Sequence, residues 1–164
     1  MKALILTIAA LFSFTTLATA QSLSEFRWKS RPVLMFTPSP DDPNFQRQVA
    51  LFADAAEELA EREIKVIFIT PDGKFENTGR FLDEATSRRY YEMFSVAQYQ
   101  FEMVLVGYDG YEKFRAKNRV TPPSIITNLI DGMPMRKREL LQGYKNESTV
   151  GDTDSRVVDK RRRF

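Results

Sequence analysis

The chain has 164 residues, carries 24 Lys and Arg against 22 Asp and Glu, and contains neither His nor Cys. Without Cys it has no thiolate for disulfide exchange or thiol-peroxidase chemistry, and without His it lacks the usual base of a hydrolase and the commonest metal ligand. A net charge of +2, falling to +1 without Lys2, gives no reason to expect a nucleic acid or an anionic membrane as partner.

Met1 to Ala20 has one cation, Lys2, then a run from Ala3 to Leu17 that is apolar apart from Ser and Thr. It closes on Ala18-Thr19-Ala20, a small-x-small cleavage signal before Gln21. The expectation is a cleaved secretion signal over 1–20 and a periplasmic or extracellular product. No later apolar stretch is long enough to span a bilayer. Residues 21–141 are expected to form one domain that relies on its core alone, since no disulfide can form.

Val33-Leu34-Met35-Phe36 is a continuous apolar run, the pattern of a strand buried on both faces. It stops at Thr37-Pro38-Ser39-Pro40, and Asp42-Pro43 then opens a helix with a carboxylate N-cap and Pro at the first position. Phe45, Val49, Phe52, Ala56 and Leu59 recur at helical spacing along it. Ile64 to Thr70 is β-branched and aromatic and predicts a second strand, ended by Pro71-Asp72-Gly73. Strand, helix and strand at this spacing make a parallel right-handed crossover.

Residues 74–80 read as loop and Asp83 to Phe94 as a second helix, anchored by Tyr90, Met93 and Phe94. Met103 to Val106 predicts a third strand, and the turn Gly107-Tyr108-Asp109-Gly110 joins it to a fourth over Tyr111 to Arg115. Thr121-Pro122 caps a last helix carrying Ile125, Ile126, Leu129 and Ile130, with Gly132 at its end. Residues 142–164 are polar, end in Lys160-Arg161-Arg162-Arg163-Phe164 and are expected to be a disordered basic tail. Asn146-Glu147-Ser148 has the form of a glycosylation acceptor.

The order β-α-β-α-β-β-α is that of the thioredoxin-like fold, in the α/β class. It predicts a mixed sheet of at least four strands flanked by helices, with the third strand antiparallel to the first.

Several blocks carry a resemblance: Phe26-Arg27-Trp28-Lys29-Ser30-Arg31-Pro32, Pro38 to Pro43, Gln48, Val104 to Gly110 with Lys113 and Arg115, and Asp131-Gly132-Met133-Pro134-Met135-Arg136-Lys137-Arg138-Glu139. Together, over Leu23 to Leu141, they resemble the bacterial domain-of-unknown-function 4174 family. That family is similar to a peroxiredoxin-like group which also contributes domains to animal extracellular-matrix and sushi-repeat proteins. Tyr108 departs from the pattern, which has Lys before the Asp-Gly turn. The resemblance implies a thioredoxin-like fold and an exported location, and it supplies no activity.

Three candidate sites follow. Ser39, Asp41 and Asp42 occupy the loop where thioredoxin-like enzymes hold their nucleophilic Cys at a helix N-terminus. Ser39 has no base to activate it, and an Asp at a helix N-terminus is a weaker base. The plain expectation is that Asp42 caps the helix while Ser39 and Asp41 bond within the turn. The functional alternative is a ligand site, with Asp41 and Asp42 joined by Asp72 or Asp109 around a hard cation. Second, Lys113, Arg115, Arg136, Lys137 and Arg138 are a candidate basic patch for phosphate, a sulfated glycan or an acidic partner, against a solvated helix end. Third, Tyr108 and Tyr111 flank the turn and offer an exposed aromatic patch for a protein partner, whereas Met133 and Met135 are expected to pack under the last helix. No cofactor is predicted. The expected role is a noncatalytic exported binding or adaptor domain for an envelope or extracellular protein; the alternative is a metal- or anion-binding protein or enzyme using the Ser39–Asp42 loop.

Overall fold

The computed structural model describes residues 22–78 and 83–143. The leader, the acceptor sequence at Asn146 and the tail from Tyr144 lie outside them. A short 3-10 turn, Leu23–Glu25, precedes strand β1, Arg31–Phe36. Then come helices α1, Pro43–Asp54, and α2, Ala56–Glu61, strand β2, Ile64–Ile69, and helix α3, Glu84–Met93. Strands β3, Glu102–Val106, and β4, Glu112–Lys117, lead to helix α4, Pro123–Asp131, and a helical run over 134–143 closes the described chain.

The sheet order is β2-β1-β3-β4, with β1 parallel to β2 and antiparallel to β3, and β3 antiparallel to β4. This is the topology expected from the element order. Strands β1 and β3 are central and buried at every position, so both must be apolar on both faces, apart from their ends. Val33, Met35, Met103 and Leu105 face α1, α2 and α4 through Phe45, Phe52, Leu59, Ile126 and Ile130. Leu34, Phe36, Ile67, Ile69, Val104 and Val106 face Tyr90, Tyr91 and Phe94 around α3.

Several details differ from the sequence reading. The first helix is broken at Ala55 (φ −105°, ψ 21°), which restarts the helix so that Ala55 and Leu59 face the core and Ala56 faces solvent. On α3 Met93 is exposed, and Tyr91 takes its place as an anchor, donating to the carbonyls of Thr37 and Ile69. Helix α4 begins after Pro122 with no side-chain cap. Gly132 ends it as expected, but the chain turns helical again from Pro134, where a missing backbone N–H costs nothing.

Two buried polar arrangements hold the layers. Gln48, on the buried face of α1 and 0% exposed, pairs its amide with both backbone groups of Thr121: Nε2 donates to the carbonyl (2.9 Å), and Oε1 accepts from the N–H (2.7 Å). Glu102, also 0% exposed, accepts from Arg115 Nη1 and lies 3.9 Å from Lys117 Nζ. Arg115 is held further by Glu112 and by the Phe94 carbonyl (2.9 Å).

At the sheet's edge, Asn77 pairs with β2. Its Oδ1 accepts from Phe68 N (2.9 Å) and its Nδ2 donates to the Val66 carbonyl (2.9 Å), as a residue of a neighbouring parallel strand would.

Candidate binding site at the β3–β4 turn

The loop after β1 is built as a cap. Asp42 Oδ1 accepts from the N–H groups of Asn44 and Phe45 (both 2.9 Å), Ser39 Oγ accepts from Asp41 N (3.0 Å), and Thr37 Oγ1 donates to the Ser39 carbonyl (2.6 Å). A shallow cavity of about 500 Å³ opens between Pro38, Ser39, Pro40, Pro71, Asp72 and Phe75. Asp41 and Asp42 do not line it. Asp72 faces its own turn, and the Lys74 N–H, then the Thr70 hydroxyl, hold its carboxyl below the usual range. Asp109 stands at the other end of the sheet, beyond β3. The structure does not bring Asp41, Asp42, Asp72 and Asp109 together, and among the described residues no group of three acids is placed to hold a metal.

The basic residues are likewise dispersed. Arg115 lies along β4 with Glu102 and Glu112; the Glu112 hydrogen bond, opposed by partial burial, raises its already high pKa. Arg136 is buried. Its Nη2 meets Glu61 Oε1 at 2.5 Å, and its Nη1 meets Glu139 Oε2 at 3.4 Å. Lys113 pairs with Asp109 (2.7 Å). Of the five, Lys113, Lys137 and Arg138 are exposed, and of these three only Lys113 has an ion-pair partner among the described residues. The aromatic pair also splits: Tyr111 is exposed, but Tyr108 is buried, because its ring receives the Arg31 guanidinium at 3.8 Å and its hydroxyl donates to Glu63.

Arg31, Tyr108 and the Lys113–Asp109 pair border a cavity of about 540 Å³ at the end of the sheet opposite Ser39. Trp28, Tyr108, Leu129, Met133, Pro134 and Met135 supply its apolar walls, and Arg31, Asp109 and Lys113 its polar atoms. Arg31 opens β1 and is 1% exposed; Nη1 donates to the Arg62 carbonyl and Nη2 to Glu139, both at 2.8 Å. Gly107 follows β3, and a Cβ there would stand 2.6 Å from Lys113 Cε and 2.9 Å from Asp109 Oδ1, so a larger residue would push this ion pair aside. Partial burial pushes the Asp109 carboxyl up, but the Lys113 ammonium and the Tyr111 N–H outweigh it and hold it below the ordinary value. Burial, then the Glu63 contact, push the Tyr108 phenol far up, so it stays a neutral donor.

Trp28 is the unusual member. It is 63% exposed, its backbone is left-handed (φ 62°), and its N–H donates to the Tyr108 carbonyl (3.0 Å). A bulky residue in this region is strained by about 1–3 kcal/mol, and such strain concentrates where a side chain is held for a purpose.

Beneath the cavity Arg62 grips Asp131 with two bonds, Nε to Oδ1 at 2.9 Å and Nη2 to Oδ2 at 2.7 Å. The Arg62 hydrogen bond holds the Asp131 carboxyl below its ordinary value. A depressed folded-state pKa contributes stability above the unfolded value of about 3.9 and loses it as pH falls through the folded one. Thermal stability is therefore expected to fall below about pH 4, and Asp131→Asn to flatten that acid limb. An unchanged slope in the variant would show that Asp131 carries none of it.

The sequence reading quoted Trp28, Met133 and Met135 as motif residues, but it did not foresee that they meet. The signal available was composition: one Trp, and a Met-Pro-Met run just after Gly132 at the end of the last predicted helix.

Comparisons with known proteins agree with the topology. Over 127 residues the chain is 29% identical to the Sushi repeat-containing protein SRPX of Rattus norvegicus and 28% identical to that of Mus musculus. Each alignment covers 74% of this chain and 27% of the relative, so the chain spans about a quarter of the relatives' length. Among solved structures, the reduced 2-Cys peroxiredoxin of Plasmodium vivax superposes with a TM-score of 0.55 at 16% identity, over 71% of this chain and 72% of that one. The thioredoxin peroxidase I of Plasmodium yoelii gives 0.53 at 18%, over 72% and 80%. These likenesses establish a thioredoxin-like fold. The model of the domain of unknown function DUF4174 matches residues 22–139, and the chain belongs to that family.

Proposed function

We propose that this is an exported, noncatalytic thioredoxin-like binding domain whose recognition surface is the Trp28 cavity and not the Ser39 loop. The observation that carries the reading is the strained, exposed Trp28 at the mouth of an apolar cavity of about 540 Å³. Large apolar concavities with few polar atoms are the usual form of a binding site. Export is supported by the leader-like first 20 residues, and the noncatalytic reading by a chain with neither thiol nor imidazole. The loop after β1, where thiol enzymes of this fold work, keeps its cap without any nucleophile–base pair.

The test joins two measurements. Trp28→Gly removes the side chain and relieves the left-handed strain, so the melting temperature should hold or rise while binding is lost. A photo-crosslinking residue at Leu129 or Met135 should trap a partner in cells, and Trp28→Gly should abolish the trap. Peroxide turnover by the purified, metal-free protein would sink the reading. So would crosslinking that ignores Trp28.

A further inference from the structure

Resting on that reading, we infer that the cavity takes an apolar side chain, aromatic or long aliphatic, from an acidic peptide segment of a partner protein. The apolar requirement comes from the walls. Met133 and Met135 are adaptable and Trp28 presents a broad face, so the socket suits a Phe, Leu or Met better than a charged group.

The acidic requirement comes from which charges are left over. At this end of the molecule Glu61, Asp131, Glu139 and Asp109 are engaged internally by Arg136, Arg62, Arg31 and Lys113. Glu63 accepts from the Tyr108 hydroxyl and is the one carboxylate near the cavity without a cation among the described residues. Three cations around the mouth, Arg27, Lys137 and Arg138, are exposed and have no ion pair among the described residues. Arg27 lays its stem against Gly110, its Cγ and Cδ 3.4 Å from where a Cβ would stand, next to wall residue Asp109. In the helical run over 134–143, Arg138 follows Met135 by three residues and Pro134 by four, which sets it on the cavity side. Lys137 donates its N–H to the carbonyl of wall residue Met133 (3.1 Å). An apolar socket rimmed by surplus positive charge complements an apolar anchor flanked by carboxylates.

The same charges argue against two other occupants. The chain's own Lys160-Arg161-Arg162-Arg163-Phe164 offers an aromatic with the wrong sign, and a second copy would bring its own Arg27, Lys137 and Arg138.

The experiment is selection of random dodecapeptides displayed on phage, against protein purified after expression of the full chain, with Trp28→Ala as the counter-selection. Enriched peptides should combine Asp or Glu with Phe, Leu, Met or Trp. Their binding is read from the fluorescence of Trp28, the only Trp in the chain. Reversing the rim with Arg27→Glu, Lys137→Glu and Arg138→Glu together should weaken it by about tenfold or more, an effect that added salt reduces. Substituting Lys for the peptide's acids should restore binding to the reversed rim. Trp28-dependent peptides without acidic residues, or affinities unmoved by rim reversal, overturn the inference and leave the cavity-binding reading standing. Binding of phosphatidylglycerol vesicles or heparin without any Trp28-dependent peptide also overturns it, in favour of a lipid or glycan. Enrichment equal on the native protein and on Trp28→Ala overturns it as well.

Discussion

Arg115→Met is expected to lower the stability of the fold by about 3–5 kcal/mol, because it strands the carboxylate of Glu102 inside the sheet–helix layer. Glu102 has no exposed surface, and without Arg115 its nearest partners are Lys117 Nζ at 3.9 Å and Gln100 Nε2 at 3.4 Å. Neither contact is close enough to replace the lost guanidinium. Arg115 also holds the Phe94 carbonyl at the end of α3, so the same change loosens the tie between β4 and α3. The informative comparison is the double variant Arg115→Met/Glu102→Leu. Removing both ions replaces a desolvated pair with apolar surface, which is often neutral. The double variant should therefore regain most of what the single one loses, and chemical denaturation of the two checks it. If the two variants are equally unstable, the loss comes from the Phe94 contact and not from the buried charge.

The second large effect is expected at Gln48. Gln48→Leu preserves the helix and its volume but leaves the N–H and carbonyl of Thr121 buried without partners, at about 2–4 kcal/mol for the two. Gln48→Glu separates this from packing. An ionised Glu turns a carboxylate oxygen on the Thr121 carbonyl, whereas a protonated one restores the donor. Burial raises the pKa of such a Glu. A raised folded-state value contributes stability that is full below the unfolded value and is lost as pH rises through the folded one. Gln48→Glu should thus lie closest to the native protein in acid and fall away towards neutrality, the reverse of the trend at Asp131. Melting curves of both variants between pH 4 and 8 test it. A Gln48→Glu profile parallel to that of Gln48→Leu would show that the amide's bonds to Thr121 do not matter.

Local chemistry made much of the fold legible. The apolar run at Val33–Phe36, the Asp42-Pro43 helix start and the Asp109-Gly110 turn are each decided by a few neighbouring residues, and each lies where the sequence places it. What failed depended on distant partners. The break at Ala55 changes which Ala faces the core, and nothing in Ala55-Ala56 announces it. Arg31 and Arg136 are the plainer case, since a long cationic side chain read alone belongs in water. Their burial is intelligible only once Glu139, Glu61 and Tyr108 arrive from elements 75 to 108 residues away. The cavity shares this origin. Its walls come from the lead into β1, the β3–β4 turn, α4 and the following helical run, so no spacing rule could have gathered them.

The amide of Asn77 on the outer edge of β2 carries a consequence for how these molecules live together. An uncovered strand is a template on which the next chain can lay itself down, and repetition of that step builds a fibre. Asn77 takes up the Val66 carbonyl and the Phe68 N–H, so a strand laid along β2 would lose that rung. The expected benefit is colloidal and would grow with crowding: a neighbour that meets this edge finds one fewer rung to hold.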